Sequence, residues 1–237
     1  MPSPYFQFKQ FTIYHDKCAM KVGTDGVLLG AWANVDKALE ILDVGTGTGL
    51  IAIMLAQRSM ANIDAVEIDE SAYSQANENI SACPWHERIN LIKSSFQEYS
   101  AGCGKAYDLI VSNPPYFKNQ YRPSERSRAL ARHDDSLSLK DLVLYAHMIL
   151  KPDGIISVIL PVEAMNKYKE YLQQNDLHIT RMLYVMPLPG RPAKRILVEA
   201  GRVKKTIEVS QLAIESGRRH HYTQEYIDLT RAFYLAF

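Results

Sequence analysis

The chain predicts an α/β fold with a doubly wound, mostly parallel sheet. Three observations carry that prediction. From residue 38 onward, short apolar runs alternate with segments of helical periodicity. The first run leads through a glycine-rich turn, DVGTGTGL, directly into a helix. With 237 residues, 47% apolar and 22% charged, the chain can bury a core large enough to cover both faces of such a sheet.

The elements follow in order. ALEILDV (38–44) reads as a buried strand, TGLIAIMLAQRS (48–59) as a helix and NIDAVEID (62–69) as a second strand, which makes a βαβ unit. SAYSQANENISA (71–82) is a helix capped by Ser71, with Pro84 beyond its end. INLIKSS (89–95) and YDLIVSN (107–113) are the third and fourth strands. SLKDLVLYAHMILKPDG (138–154) is apolar at helical spacing and closes on a Pro and a Gly. GIISVILP (154–161) is a fifth strand, EAMNKYKEYLQQN (163–175) a helix and HITRMLYVMP (178–187) a sixth strand.

The break PLPGRP is too short for a crossover, so 178–187 and RILVEAG (195–201) are expected to form an antiparallel hairpin. TIEVSQLAI is left open as a further strand. TQEYIDLTRAFYLAF (223–237) reads as a C-terminal helix, with Tyr226, Leu229, Phe233 and Phe237 on one stripe. One domain spanning 1–237 is expected.

Composition narrows the function classes. Cys18, Cys83 and Cys103 have neither CxxC spacing nor a histidine cluster, so no metal is expected and a reducing cytoplasm fits. The N-terminus lacks a signal-peptide pattern, and no stretch is long enough to span a bilayer. The net charge is only +1, yet residues 190–222 hold eight Lys and Arg against three acids. Residues 118–132 add Lys118, Arg122, Arg126, Arg128 and Arg132 against Glu125 alone. Such local asymmetry suits a polyanion.

In the loop after the first strand, Gly45, Gly47 and Gly49 permit positive φ and close approach by a ligand, while the next helix offers unpaired amides. Glu67, at the end of the second strand, is placed to accept hydrogen bonds from two ribose hydroxyls. The spacing is GxGxG rather than GxGxxG, and Asp43 stands two residues ahead of Gly45. A carboxylate there disfavours a pyrophosphate and suits a ligand with an amino group and a sulfonium, which favours S-adenosylmethionine over a nicotinamide dinucleotide. Thr46 and Ile68 complete the expected cofactor contacts. At the third strand end, Ser95 is expected to bond the adenine edge, and Phe96 to lie either on that ring or in the core. Upstream, KVGTDGVLLGAWA places Lys21, Thr24 and Asp25 at the methionine end if its helix covers the pocket; otherwise Thr24 or Asp25 simply caps that helix. Residues 1–37 are thus an extension over the cofactor site, 38–202 the core sheet, and 203–237 a final strand and helix.

The fourth strand ends in NPPY. In open parallel sheets ligands sit at the carboxyl ends of the strands, so this segment faces the glycine loop. Pro114 and Pro115 stiffen the turn. The Asn113 side-chain oxygen and the Pro114 carbonyl then converge as two acceptors for a planar amine, with Tyr116 stacking on the ring that carries it. Methyl transfer to a conjugated nitrogen fits this geometry.

These motifs, DVGTGTG with Glu67 and NPPY, resemble the class I S-adenosylmethionine-dependent methyltransferases that act on amino groups. FTIYHDK, KVGTDGVLLGAWA, RALARHDDSLSLKDL and PGRPAKRILVE extend the likeness, nearly end to end, to the bacterial tRNA(Val) adenine N6-methyltransferase family. Ser95 stands where many class members carry an acid. The resemblance implies a Rossmann-like, seven-stranded sheet with a final antiparallel strand and methylation of an adenine beside the anticodon. The partner would be tRNA, held by Tyr116, Lys118, Arg126, Arg128, Arg132, Arg191, Lys194 and Arg195; the oligomeric state is left open, with a monomer favoured over a dimer. The NPPY loop by itself leaves a glutamine side chain in a translation factor and a guanine amine in ribosomal RNA open as substrates.

Overall fold

A computed structural model describes residues 3–18, 21–115 and 137–237. The chain begins with an antiparallel hairpin of β1 (Tyr5–Gln7) and β2 (Thr12–Tyr14), followed by α1 (Thr24–Trp32). The alternating region runs β3 (Glu40–Val44), α2 (Leu50–Arg58), β4 (Asn62–Glu67), α3 (Glu70–Ala82), β5 (Ile89–Lys93), α4 (Phe96–Gly102) and β6 (Tyr107–Ser112). It continues through α5 (Leu139–Ile149), β7 (Leu150–Pro161), α6 (Met165–Gln174), β8 (His178–Met186), β9 (Arg195–Gly201), β10 (Glu208–Ala213) and α7 (Gln224–Thr230).

The main sheet has the order β10-β8-β9-β7-β6-β3-β4-β5. β9 runs antiparallel to both of its neighbours, and the other pairings are parallel. The chain therefore winds one way from β3 through β4 to β5 and the other way through β6 to β7. The crevice between β3 and β6 is the topological switch point, where open α/β sheets bind ligands.

One face of the sheet is covered by α1, α2, α3 and α7, through a core that includes Leu28, Ile53, Ile80 and Tyr226. The other carries α4, α5 and α6, with Phe96, Val143 and Tyr168 buried against it. Continuous apolar runs such as EILDV and YDLIVS become strands because both of their faces are covered.

Several sequence expectations are corrected. Among the described residues the sheet has eight strands rather than seven, since β10 pairs in parallel with β8. Its pattern is weak because it is an edge strand with Leu212 as its buried residue. Asp69, not Ser71, caps α3 by accepting from the Ala72 amide. The helix expected over 138–154 ends at Ile149, and Lys151–Gly154 already belongs to β7. Gly154 is no helix stop: a Cβ there would lie 2.7 Å from the Tyr107 carbonyl oxygen, so the bulged approach of β6 and β7 requires glycine. Helix α4 was not foreseen, although Ser95 and Glu98 form a full capping box that the sequence S-x-x-E announces. The C-terminal helix ends at Thr230, and the chain beyond it folds back so that Phe233 is buried and Tyr234 stacks on Phe8.

Candidate active site

A cavity of about 860 Å³ opens at the carboxyl ends of β3, β4, β5 and β6. Its floor is the glycine loop. Gly45, Gly47 and Gly49 have φ of 70°, 59° and 80°, a region that side chains with a Cβ rarely adopt. At Gly45 and Gly47 an added Cβ would meet no atom within 4 Å, so the loop backbone faces open space and can be approached closely. Gly49 instead caps α2 and stands over Ile80.

The loop is tied from three sides. Asp43 Oδ2 accepts from Thr46 Oγ1 at 2.6 Å and from the Ala52 amide at 3.1 Å, which joins the strand end to α2. Glu67 Oε2 accepts from the Gly47 amide at 2.8 Å, while its Oε1 accepts from the Ile68 and Asp69 amides. Asn79 on α3 donates to the carbonyls of Thr48 and Tyr14, linking the loop to the N-terminal hairpin.

The carboxylate of Asp43 is fully buried beneath the loop and is absent from the cavity wall. That corrects the expectation that it meets the ligand directly. Burial, above all, pushes it up to about 7; the bonds from Thr46 and Ala52 oppose the rise and nearby Glu67 adds to it. Its Oδ1 has no hydrogen-bond partner among the described residues. Glu67 does reach the cavity, but three of its roughly four acceptor directions are taken by amides, which leaves one for a ribose hydroxyl rather than the two expected. Cys18, which the sequence reading did not select, also lines the wall, and burial pushes its thiol up to about 11.

The cavity brings together most of the segments selected from sequence. Lys21, Thr24 and Asp25 border it from the start of α1, whose N-cap is Gly23, without a side-chain cap. Thr46, Ile68, Ser95 and Phe96 line it as well. The Ser95 hydroxyl is already engaged with Glu98, and the buried Phe96 ring stands edge-on to Tyr145, so both take part in holding α4. Asn113, Pro114 and Pro115 line it from the β6 end, beside the loop, where Ser112 Oγ donates to the Val44 carbonyl at 2.9 Å and fixes β6 to the loop strand.

Arg195 differs from its expected placement among free phosphate-binding cations. Its Nε donates to Asp25 Oδ2 at 2.7 Å, and both residues lie on the cavity wall. Arg191 and Lys194 are exposed, outside the cavity. Tyr116, Lys118, Arg126, Arg128 and Arg132 lie outside the described residues. No group of three or more His, Cys, Asp or Glu among the described residues could hold a metal ion.

The methyltransferase small domain model matches residues 23–176. A tRNA1(Val) (adenine(37)-N6)-methyltransferase of Bacteroides fragilis is 47% identical over 236 residues, covering 99% of both chains. A protein of the same name from Parabacteroides distasonis is 48% identical over 99% of both chains. The one from Trichodesmium erythraeum is 48% identical over 98% of both. Among solved structures, a predicted O-methyltransferase from Agrobacterium tumefaciens superposes with a TM-score of 0.68 at 20% identity, covering 88% of this chain and 96% of that one, which shows a shared fold. A glycine-floored cavity at the switch point, walled by Asn-Pro-Pro, thus coincides with full-length likeness to enzymes of one kind, and the chain belongs to the methyltransferase family of tRNA1(Val) (adenine(37)-N6)-methyltransferases.

Proposed function

We propose that this chain, acting as one domain in the cytoplasm, methylates the exocyclic N6 amine of adenine 37 in tRNA1(Val). The observation that carries the reading is the Asn113–Pro115 segment lining the same cavity as the Gly45–Gly49 loop, from the end of the neighbouring strand, in a chain 47% identical to a relative of that name. S-adenosylmethionine is the cofactor, and when bound it supplies a sulfonium methyl, already a strong electrophile. The open backbone at Gly45 and Gly47 and the Glu67 carboxylate beside it fit the cofactor's amino-acid and ribose groups.

The remaining work is positioning. The Asn113 side-chain oxygen and the Pro114 carbonyl accept from the adenine amine, favour its tetrahedral form and aim its lone pair for in-line attack. Tyr116 stacks on the unstacked base, a contact worth about 1–3 kcal/mol per base. Lys21, Thr24 and Asp25 close the methionine end. Lys118, Arg126, Arg128, Arg132, Arg191 and Lys194 are assigned to tRNA phosphates. The test is transfer of labelled methyl from S-adenosylmethionine to unmodified total tRNA, followed by nucleoside analysis. N6-methyladenosine is expected; label in protein or ribosomal RNA with none in tRNA would refute the reading.

A further inference from the structure

We propose that two loops joined at the far edge of the sheet, 187–194 and 214–222, form one surface that holds the phosphates flanking the target nucleotide. This rests on the reading of the cavity as a site for an RNA base.

The loops are brought together by strand pairing. β8 and β10 run parallel and end side by side at Met186 and Ala213. The Ile214 amide then donates to the Met186 carbonyl at 2.9 Å, and the Glu215 amide to the Pro187 carbonyl at 3.1 Å. Each loop is closed on itself. Lys194 N bonds Val185 O and Arg191 N bonds Leu188 O in the first, and Gly190 takes a φ of 72°. In the second, Ser216 N bonds His221 O and His221 N bonds Arg218 O, which leaves Arg218 and Arg219 on the tip of a fixed turn.

This edge is the one that carries the cavity. Pro161 and Arg195 both line the cavity and stand opposite one another. Val185 and Leu212 continue the same row across β8 and β10. Two strand spacings, about 10 Å, therefore separate Arg195 on the cavity wall from the strand that carries the second loop.

Arg191, Lys194, Arg218 and Arg219 are exposed, and among the described residues none is in an ion pair. The acid within these loops, Glu215, accepts the His220 amide at 2.9 Å within its own turn. Lys204 and Lys205, equally basic in sequence, precede β10 and so stand at its amino end, the end of the strands away from the cavity. The basic segment 190–222 thus divides into a part beside the cavity and a part away from it.

Three double variants of the full chain separate the alternatives: R218A/R219A, R191A/K194A and K204A/K205A. Binding of a tRNA transcript is followed by fluorescence polarisation across a KCl series, alongside KM for tRNA, KM for S-adenosylmethionine and the single-turnover rate at saturating tRNA. The first two variants should weaken tRNA binding about tenfold or more and flatten the log-log salt slope by about 0.7–0.9 for each lost phosphate contact. KM for S-adenosylmethionine and the single-turnover rate should hold, and K204A/K205A should follow the unsubstituted chain. If R218A/R219A binds tRNA with the affinity and slope of K204A/K205A, the surface is wrong, even where methyl transfer to tRNA is intact. If the unsubstituted chain methylates no tRNA, the proposed activity fails, and the salt slopes still decide the surface.

Discussion

Two acids on neighbouring strands, Asp43 on β3 and Asp64 on β4, are both buried, but they are satisfied in opposite ways. Asp64 points to the α4 side of the sheet, where Tyr107 OH at 2.6 Å, Asn90 Nδ2 at 2.8 Å, Lys105 Nζ at 2.9 Å and Tyr99 OH at 3.1 Å all donate to it. Burial opposes ionisation there, and the Tyr107, Lys105 and Asn90 bonds outweigh it, so the carboxyl is held below its ordinary range. Asp43 points to the α2 side, receives two bonds on one oxygen and, among the described residues, none on the other, and is pushed up. A fully satisfied carboxylate ties β4, β5 and β6 together. The half-satisfied one sits under the glycine loop, where it ties Thr46 and the Ala52 amide to the end of β3.

That contrast separates a site edge, whose variants should lose rate, from a structural network, whose variants should lose stability. The largest expected effect is at the site: Asn113→Ala should lower kcat by about 10²–10³, as loss of an aligned polar contact to a reacting group does. KM for S-adenosylmethionine and Tm should stay close to the unsubstituted values. An unchanged kcat would remove Asn113 from the reacting centre. Next, Asp64→Ala should destabilise the fold by about 2–4 kcal/mol by stranding buried donors, with the Lys105 share discounted because that ammonium is half exposed. Denaturant unfolding measures it, and the folded fraction should retain its kcat; a variant of normal stability but low kcat would reverse the assignment of Asp64.

The smallest expected signal is a slope. A carboxyl raised in the fold binds its proton more tightly there than in the unfolded chain, so Asp43 contributes stability below its ordinary 3.8 that fades as pH rises to about 7. Asp64 has the opposite sign: its contribution is full above its ordinary 3.8 and is lost as pH falls below that. Asp43→Asn should therefore flatten Tm between pH 4 and 7, and Asp64→Asn should flatten it below pH 4. Equal slopes for both variants in both windows would dissolve the distinction between the two acids.

The legible parts of the site were those in which the chemistry is local. Gly45, Gly47 and Gly49 announced positive φ, Glu67 closed the second strand, and Asn113–Pro115 ended the fourth. Helix α4 is equally legible through Ser95 and Glu98, whose S-x-x-E spacing is that of a capping box. Nothing in the local pattern could show that Arg195 meets Asp25 across 170 positions, or that Asp43 turns away from the cavity. Two basic runs of equal sequence appearance, Arg218–Arg219 and Lys204–Lys205, also reach opposite ends of the strands only through the direction of β10.

The sequence by itself determined the strand–helix alternation, the glycine loop and the proline-stiffened turn after the fourth strand, because periodicity, φ preference and proline stiffness act over a few residues. Tertiary structure alone decided the eighth strand, the face to which each buried acid points and the ion pair that joins α1 to β9. Those depend on register and burial between segments far apart in the chain, and a side chain's partners exist only once the sheet has assembled.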